Sequence, residues 1–179
     1  IKIITGIRRC GKSTLMAQFQ QMLLSDGVSE KQIIAVNLED LEFENLKNYR
    51  ELFSYISTRM LPDKMNYVFL DEIQSVDMFQ KAIDSLFLKE NVDIYLTGSN
   101  AYLLSGEIST LLSGRYIEIE VLPFSLGEYQ TITDARGEQL YRDYIGSSSF
   151  PYTINLSAGV DLRQYLQGIY STVILKDIM

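Results

Sequence analysis

The chain has 179 residues, 46% of them hydrophobic and 22% charged, which suffices for one ordinary globular domain with a sizeable core. Its net charge of -7 argues against broad phosphate-backbone binding by this chain alone, since that needs clustered Lys and Arg. Zero histidines exclude Ser-His-Asp chemistry and histidine-ligated metals within it, and a single cysteine excludes an internal disulfide.

No run of about 18 or more apolar residues occurs, so the expectation is no membrane span. With no signal peptide and one cysteine, a cytoplasmic setting is expected. Ile1 opens inside a strand-like run, and residues 175–179 stop inside a helical pattern without a stop signal. The expectation is a fragment of a longer chain.

Strand-like and helical runs alternate along the sequence. Ile1 to Thr5 reads as a buried strand. Lys12 to Leu24 reads as a helix, with Leu15, Met16, Phe19, Met22 and Leu23 on one face, closed by Ser25-Asp26-Gly27. Gln32 to Leu38 is a second strand, Glu39 to Asn48 an acidic loop, and Tyr49 to Met60 a helix stopped by Pro62. Asn66 to Leu70 is a third strand. Asp77 to Glu90 is a helix with Met78, Phe79, Ala82, Ile83, Leu86 and Phe87 inward. Val92 to Leu96 is a fourth strand, a short helix follows, and Arg115 to Val121 is a fifth strand. Five buried strands separated by helices predict an α/β fold, a parallel sheet covered on both faces with right-handed crossovers. Beyond about residue 125 the pattern becomes helical: Ser125 to Gln130, Glu138 to Ile145, a loop or hinge over Gly146 to Pro151, and a long helix from Asp161 to Ile178. The expected division is 1–130 as core and 131–179 as a helical lid or connector.

The motif G-x-x-x-x-G-K-S stands at Gly6-Ile7-Arg8-Arg9-Cys10-Gly11-Lys12-Ser13, after a strand and opening a helix that continues through Thr14. Gly6 and Gly11 permit a sharp turn and a close backbone approach. Consecutive N–H groups then face an anion at a helix N-terminus. Lys12 offers a mobile positive charge for β- and γ-phosphates, and the Ser13 hydroxyl is a Mg²⁺ ligand. Cys10 reads either as a small residue the loop tolerates or as an oxidation-sensitive thiol at a helix N-terminus. Arg8 and Arg9 read either as phosphate contacts or as solvated charges.

Tyr67-Val68-Phe69-Leu70-Asp71-Glu72 is an apolar strand ending in two carboxylates. Behind a phosphate cradle, Asp71 is expected in the Mg²⁺ shell and Glu72 as the base that polarises an attacking water. That pairing suits hydrolysis better than transfer to a small-molecule acceptor, which calls for a second pocket and a lid of arginines. Strand four runs into Thr97-Gly98-Ser99-Asn100. If it neighbours strand one, Ser99 or Asn100 lies where a γ-phosphate is sensed or water oriented; the alternative is a Ser N-cap. Asn37 is either a restraint on Glu72 or a strand-end amide serving its own backbone. Arg115 is either a charge-stabilising guanidinium, acting in trans in an oligomer, or a structural ion pair.

The segments GIRRCGKST (6–14), VFLDEIQ (68–74), YLTGSNAYLLSGEISTLLSGRYIEIEVLPFSLGEY (95–129) and FPYTIN (150–155) resemble the AAA-type ATPases of bacteria and archaea, which are similar to STAND P-loop ATPases. The stretch from Gly114-Arg115-Tyr116 to Leu122-Pro123-Phe124-Ser125 is its most family-specific part. The resemblance implies an additional-strand P-loop core with strand order 5-1-4-3-2. It implies ATP and Mg²⁺ at Lys12, Ser13, Asp71 and Glu72, a sensor at Ser99 or Asn100, and Arg115 at the Gly-Arg position. It also implies a C-terminal domain, with nuclease-like function as one candidate, through which a protein partner or DNA would be engaged. Two functions follow as expectations: Mg-dependent ATP hydrolysis, or a nucleotide-gated interaction switch with little turnover.

Overall fold

The computed structural model describes residues 1–98, 112, 114–156 and 162–173. They fall into two compact units, Ile1–Thr5 with Lys12–Glu120, and Gly6–Gly11 with Val121–Met179.

The first unit is a five-stranded, fully parallel sheet in the order β2-β3-β4-β1-β5, the order expected, read from the opposite edge. Its strands are β1 (Lys2–Thr5), β2 (Ile33–Asn37), β3 (Asn66–Asp71), β4 (Val92–Thr97) and β5 (Ile117–Glu120). Its helices are α1 (Lys12–Ser25), α2 (Tyr49–Arg59) and α3 (Phe79–Phe87). Strand alternation sorts the central side chains to two faces. Ile34, Val36, Val68, Leu70, Ile94 and Leu96 share one core with Leu52 and Ile56 of α2 and with Phe79, Ala82, Ile83 and Leu86 of α3. On the other face Phe69 and Tyr95 stack at 4.8 Å, and Phe19 of α1 meets them at 6.1 and 5.1 Å. The fully buried Val, Leu, Ile and Phe side chains among these each contribute about 1.5–3 kcal/mol relative to exposure, so the paired faces of β3 and β4 form the buried centre of the unit.

Four expectations need correction. All four β5 residues are exposed, with Ile117 at 65%, because among the described residues β5 is an edge strand hydrogen-bonded to β1 alone. In α1, Leu15 and Met22 lie outward while Met16 and Leu23 are buried, so the inward stripe is narrower than the apolar positions suggested. Met78 is not inward: it is the N-cap of α3 in a left-handed conformation (φ 51°), and Phe87 at the helix end is also exposed. The acidic stretch after β2 is folded into 3-10 turns over Leu41–Leu46 and capped by Asp40, which accepts from Glu42 N–H.

Asn66 opens β3 from a fully buried position. Its Oδ1 accepts from Leu61 N–H at 2.8 Å, and its Nδ2 donates to the carbonyls of Leu61, Lys64 and Asn91. This side chain closes the α2–β3 connection and so sets where the strand carrying Asp71 begins.

In the second unit, α4 (Leu126–Thr131) starts in a capping box between Ser125 and Glu128. The Ser125 backbone N–H, followed by its hydroxyl, holds the Glu128 carboxyl below the usual range. Helix α5 (Gly137–Ser147) packs on α4 through Tyr129 and Tyr144, whose rings lie 5.5 Å apart, and the Tyr144 hydroxyl donates to Phe124 O. The expected hinge begins later than predicted: Gly146 and Ser147 continue α5, and the break falls at Ser148, where φ is 75°. A 3-10 turn over Pro151–Asn155 and helix α6 (Leu162–Val173) complete the described part.

Candidate nucleotide-binding site

The residues between β1 and α1 take conformations that ordinary side chains avoid. Gly6 has φ 143°, Arg9 65° and Gly11 107°, and Cys10 N–H closes a turn on Ile7 O at 3.3 Å. A Cβ on Gly6 would stand 2.2 Å from Val121 O and 2.8 Å from Cys10 Sγ. Gly6 is therefore demanded by close backbone approach as well as by φ. Gly6→Ala is expected to destabilise the protein by on the order of 1–3 kcal/mol or more through overpacking. Gly27→Ala, where φ is 89° and the space is open, should cost only the left-handed penalty of about 1–2 kcal/mol. Paired thermal melts check the difference, and equal losses would refute the role given to Val121.

Cys10 is buried at 3% exposure, which favours the small tolerated residue over an oxidant-accessible thiol. The Arg9 guanidinium lies 5.2 Å from the centre of the Tyr165 ring of α6, and Tyr165 in turn meets Tyr152. Lys12 is buried at the first position of α1; Ser13 and Thr14 are exposed in its first turn.

The acidic pair sits at the C-terminal end of β3, level with the end of β4, since Leu70 pairs with Leu96. That end of an open parallel sheet is where α/β folds gather ligands. Asp71 is 9% exposed and shares with Ser13 and Asn37 the lining of a cavity of about 260 Å³. Glu72 is left-handed (φ 57°, ψ 50°) and begins a 3-10 turn over Ile73–Ser75. Its carboxylate accepts from Gln74 Nε2.

Thr97 is one residue whose role the sequence reasoning missed. Fully buried, its hydroxyl donates to Asp71 Oδ1 and accepts from Glu72 N–H at 3.0 Å. One side chain thus fastens both members of the acidic pair. The signal was available in the strand order: with β4 beside β3, the last residue of β4 lies opposite the last residue of β3. Ser99 and Asn100, the expected sensors, lie outside the described residues, as do residues 101–111 and 113.

Two further candidates engage groups other than the acidic carboxylates, although Asn37 lies beside Asp71 across β2 and β3. Asn37 Oδ1 accepts from Glu39 N–H at 3.0 Å, the strand-end amide rather than a restraint on Glu72. Arg115 lies against α3, 3.8 Å from Asp84 Oδ1 and 5.8 Å from the Phe87 ring centre, with its side chain 47% exposed.

The donor set fits Mg²⁺. Among the described residues no cluster of three or more His, Cys, Asp or Glu forms a metal cage. One hydroxyl and one carboxylate on a shared cavity suit a hard ion that keeps most of its ligands as water and phosphate oxygen.

Residues 1–130 match the AAA domain family. The chain belongs to that family. Nucleotide binding comes with the membership. An uncharacterised protein of Haemophilus influenzae is 37% identical over 185 residues, covering 99% of this chain and 46% of that protein. An uncharacterised protein of Methanocaldococcus jannaschii is 30% identical over 187 residues, covering 95% of this chain and 41% of that protein. This AAA chain therefore spans less than half the length of these curated relatives. Among its described residues no helix is long and apolar enough to cross a membrane.

Proposed function

We propose that this AAA domain binds ATP with Mg²⁺ and hydrolyses it. The observation that carries the reading is the cavity shared by Ser13 and Asp71, with Glu72 as the next residue and Thr97 holding the pair. Residues 6–14 take the phosphates through backbone N–H groups and the Lys12 ammonium. Ser13 and Asp71 hold the metal, which when bound offsets phosphate charge. Glu72 takes a proton from water as the water oxygen bonds to the γ-phosphorus, and the bond to the bridging oxygen breaks with its electron pair leaving on ADP.

Residues 1–130 act in this reading as the catalytic core and 131–179 as a lid or connector to further chain, through which a protein partner or DNA would be engaged. Arg115, half exposed and held by a long ion pair, is the guanidinium available to a neighbouring subunit's nucleotide.

Phosphate release from ATP tests the proposal. Turnover is expected with Mg²⁺, none with chelator, and Lys12→Ala should lower kcat/KM by at least about 100-fold, the scale of one lost transition-state contact. Chelator-insensitive hydrolysis would overturn the metal role. A second reading, a nucleotide-gated switch with little turnover, is favoured by the Arg9–Tyr165 contact, which links the phosphate loop to α6. A single-turnover rate that stays near the uncatalysed one with partners present would favour the switch.

A further inference from the structure

We infer that Gln74 is a positioning residue for the general base: its side-chain amide sets the direction of the Glu72 carboxylate. The inference rests on the hydrolytic reading of Glu72 given above.

Glu72 needs external fixing. It is a non-glycine residue at φ 57°, and its side chain is half-buried, so neither its backbone nor its packing selects one carboxylate direction. Thr97 holds its backbone N–H, which leaves the carboxylate undetermined. Gln74 supplies the missing constraint by donating from Nε2 to Glu72 Oε2. The turn makes this geometry reproducible. Ser75 N–H bonds to Glu72 O at 3.1 Å and Val76 N–H to Ile73 O at 3.0 Å, while Ile73 and Val76 are sunk in the core at 0% and 2% exposure. The spacing between residues 72 and 74 is thereby locked to the body of the sheet.

The other end of the amide indicates what the side chain is for. Gln74 Oε1 is buried and finds no hydrogen-bond partner among the described residues. A carboxylate only accepts, so the amide must turn its nitrogen toward Glu72 and leave its oxygen where it is. A glutamine kept for structure alone would be expected to satisfy both ends, because an orphaned buried acceptor is a cost. Gln74 satisfies the end on Glu72 at the expense of the other. An amide also suits the task chemically: it orients the base without competing for the proton, as a second carboxylate at position 74 would.

The test compares purified wild type with Gln74→Leu, Gln74→Glu, Glu72→Gln and the double variant Glu72→Gln/Gln74→Leu. Measured quantities are kcat, KM for ATP, affinity for a non-hydrolysable ATP analogue, and melting temperature. Gln74→Leu is expected to lower kcat by about 10–100-fold, the range for a residue that orients another. KM and analogue affinity should stay within about two-fold, as for an interaction made only in the transition state. Gln74→Glu retains the shape of glutamine, replaces attraction by repulsion, and should lose a similar factor; it decides the matter if the leucine variant does not fold. In the Glu72→Gln background, Gln74→Leu should change the residual single-turnover rate by less than about two-fold, since nothing remains to be positioned.

A wild-type or raised kcat in both Gln74 variants overturns the inference and leaves the Glu72 assignment intact, provided Glu72→Gln is inactive. Parallel loss of kcat and analogue affinity also overturns it, as the mark of a structural role. Full turnover by Glu72→Gln removes the base itself, and both readings fall together.

Discussion

Glu72→Gln is expected to lower the rate of ATP hydrolysis by about 10²–10⁴-fold, the range for loss of a general base, while ATP remains bound. The substitution preserves the volume of the side chain. It also preserves the backbone N–H that bonds Thr97 Oγ1, and the new amide oxygen can still accept from Gln74. The acidic pair therefore keeps its fastening and loses only the capacity to take a proton. Lys12→Ala should differ in kind. It removes a charge from the helix start that meets the phosphates, so ATP affinity and turnover should fall together. Measuring phosphate release and nucleotide affinity on the same preparations separates the two. Unimpaired hydrolysis by Glu72→Gln would defeat the assignment of the base, whatever the behaviour of Lys12→Ala.

The contrast between these residues reflects how the site was readable. Gly6, Gly11, Lys12 and Ser13 announce themselves because phosphate binding by a loop needs rare residue types at fixed local spacing. The central strands were legible for a related reason, whereas their order came from the family resemblance. Buried parallel strands carry long apolar runs, and Val68-Phe69-Leu70 and Ile94-Tyr95-Leu96 are unmistakable ones.

What escaped was whatever depends on register between strands. Thr97 is one of many threonines in sequence, and only the pairing of Leu70 with Leu96 places its hydroxyl against Asp71. Gln74 escaped because its role depends on the left-handed backbone of Glu72, a conformation that no local pattern foretells. Asn66 escaped because a buried amide with every bond satisfied looks, in sequence, like a turn residue. The exposed Met78 marks the reverse error: its spacing is helical, but the chain enters α3 one residue later with Met78 as its cap.

Thr97→Val tests the register-dependent part of the site. Valine matches threonine in shape and lacks the hydroxyl, so packing in β4 is retained and two hydrogen bonds are lost. The Asp71 carboxylate, 9% exposed, loses its donor, and Glu72 N–H loses its acceptor. The buried Asp71 carboxylate left without this donor costs about 1–3 kcal/mol, and for a chain of this length each kcal/mol lowers Tm by about 2–4 °C. The catalytic consequence should be separable from that loss. Glu72 occupies a left-handed region that costs about 1–3 kcal/mol and persists only while its surroundings hold it. Without the hydroxyl the peptide can relax, which carries Glu72 away from its set position beside Asp71, and kcat should fall by about 10–100-fold. Thr97→Ser restores the hydroxyl while omitting the methyl group; it should recover kcat and most of the Tm. Melting curves and steady-state turnover on the three proteins decide the matter. A lower Tm with wild-type kcat in Thr97→Val would make the bridge purely structural. Recovery of neither property in Thr97→Ser would show that the hydroxyl holds the acidic pair only when the methyl group packs it in place, and the hydrogen bonds alone could not then be credited with the fastening.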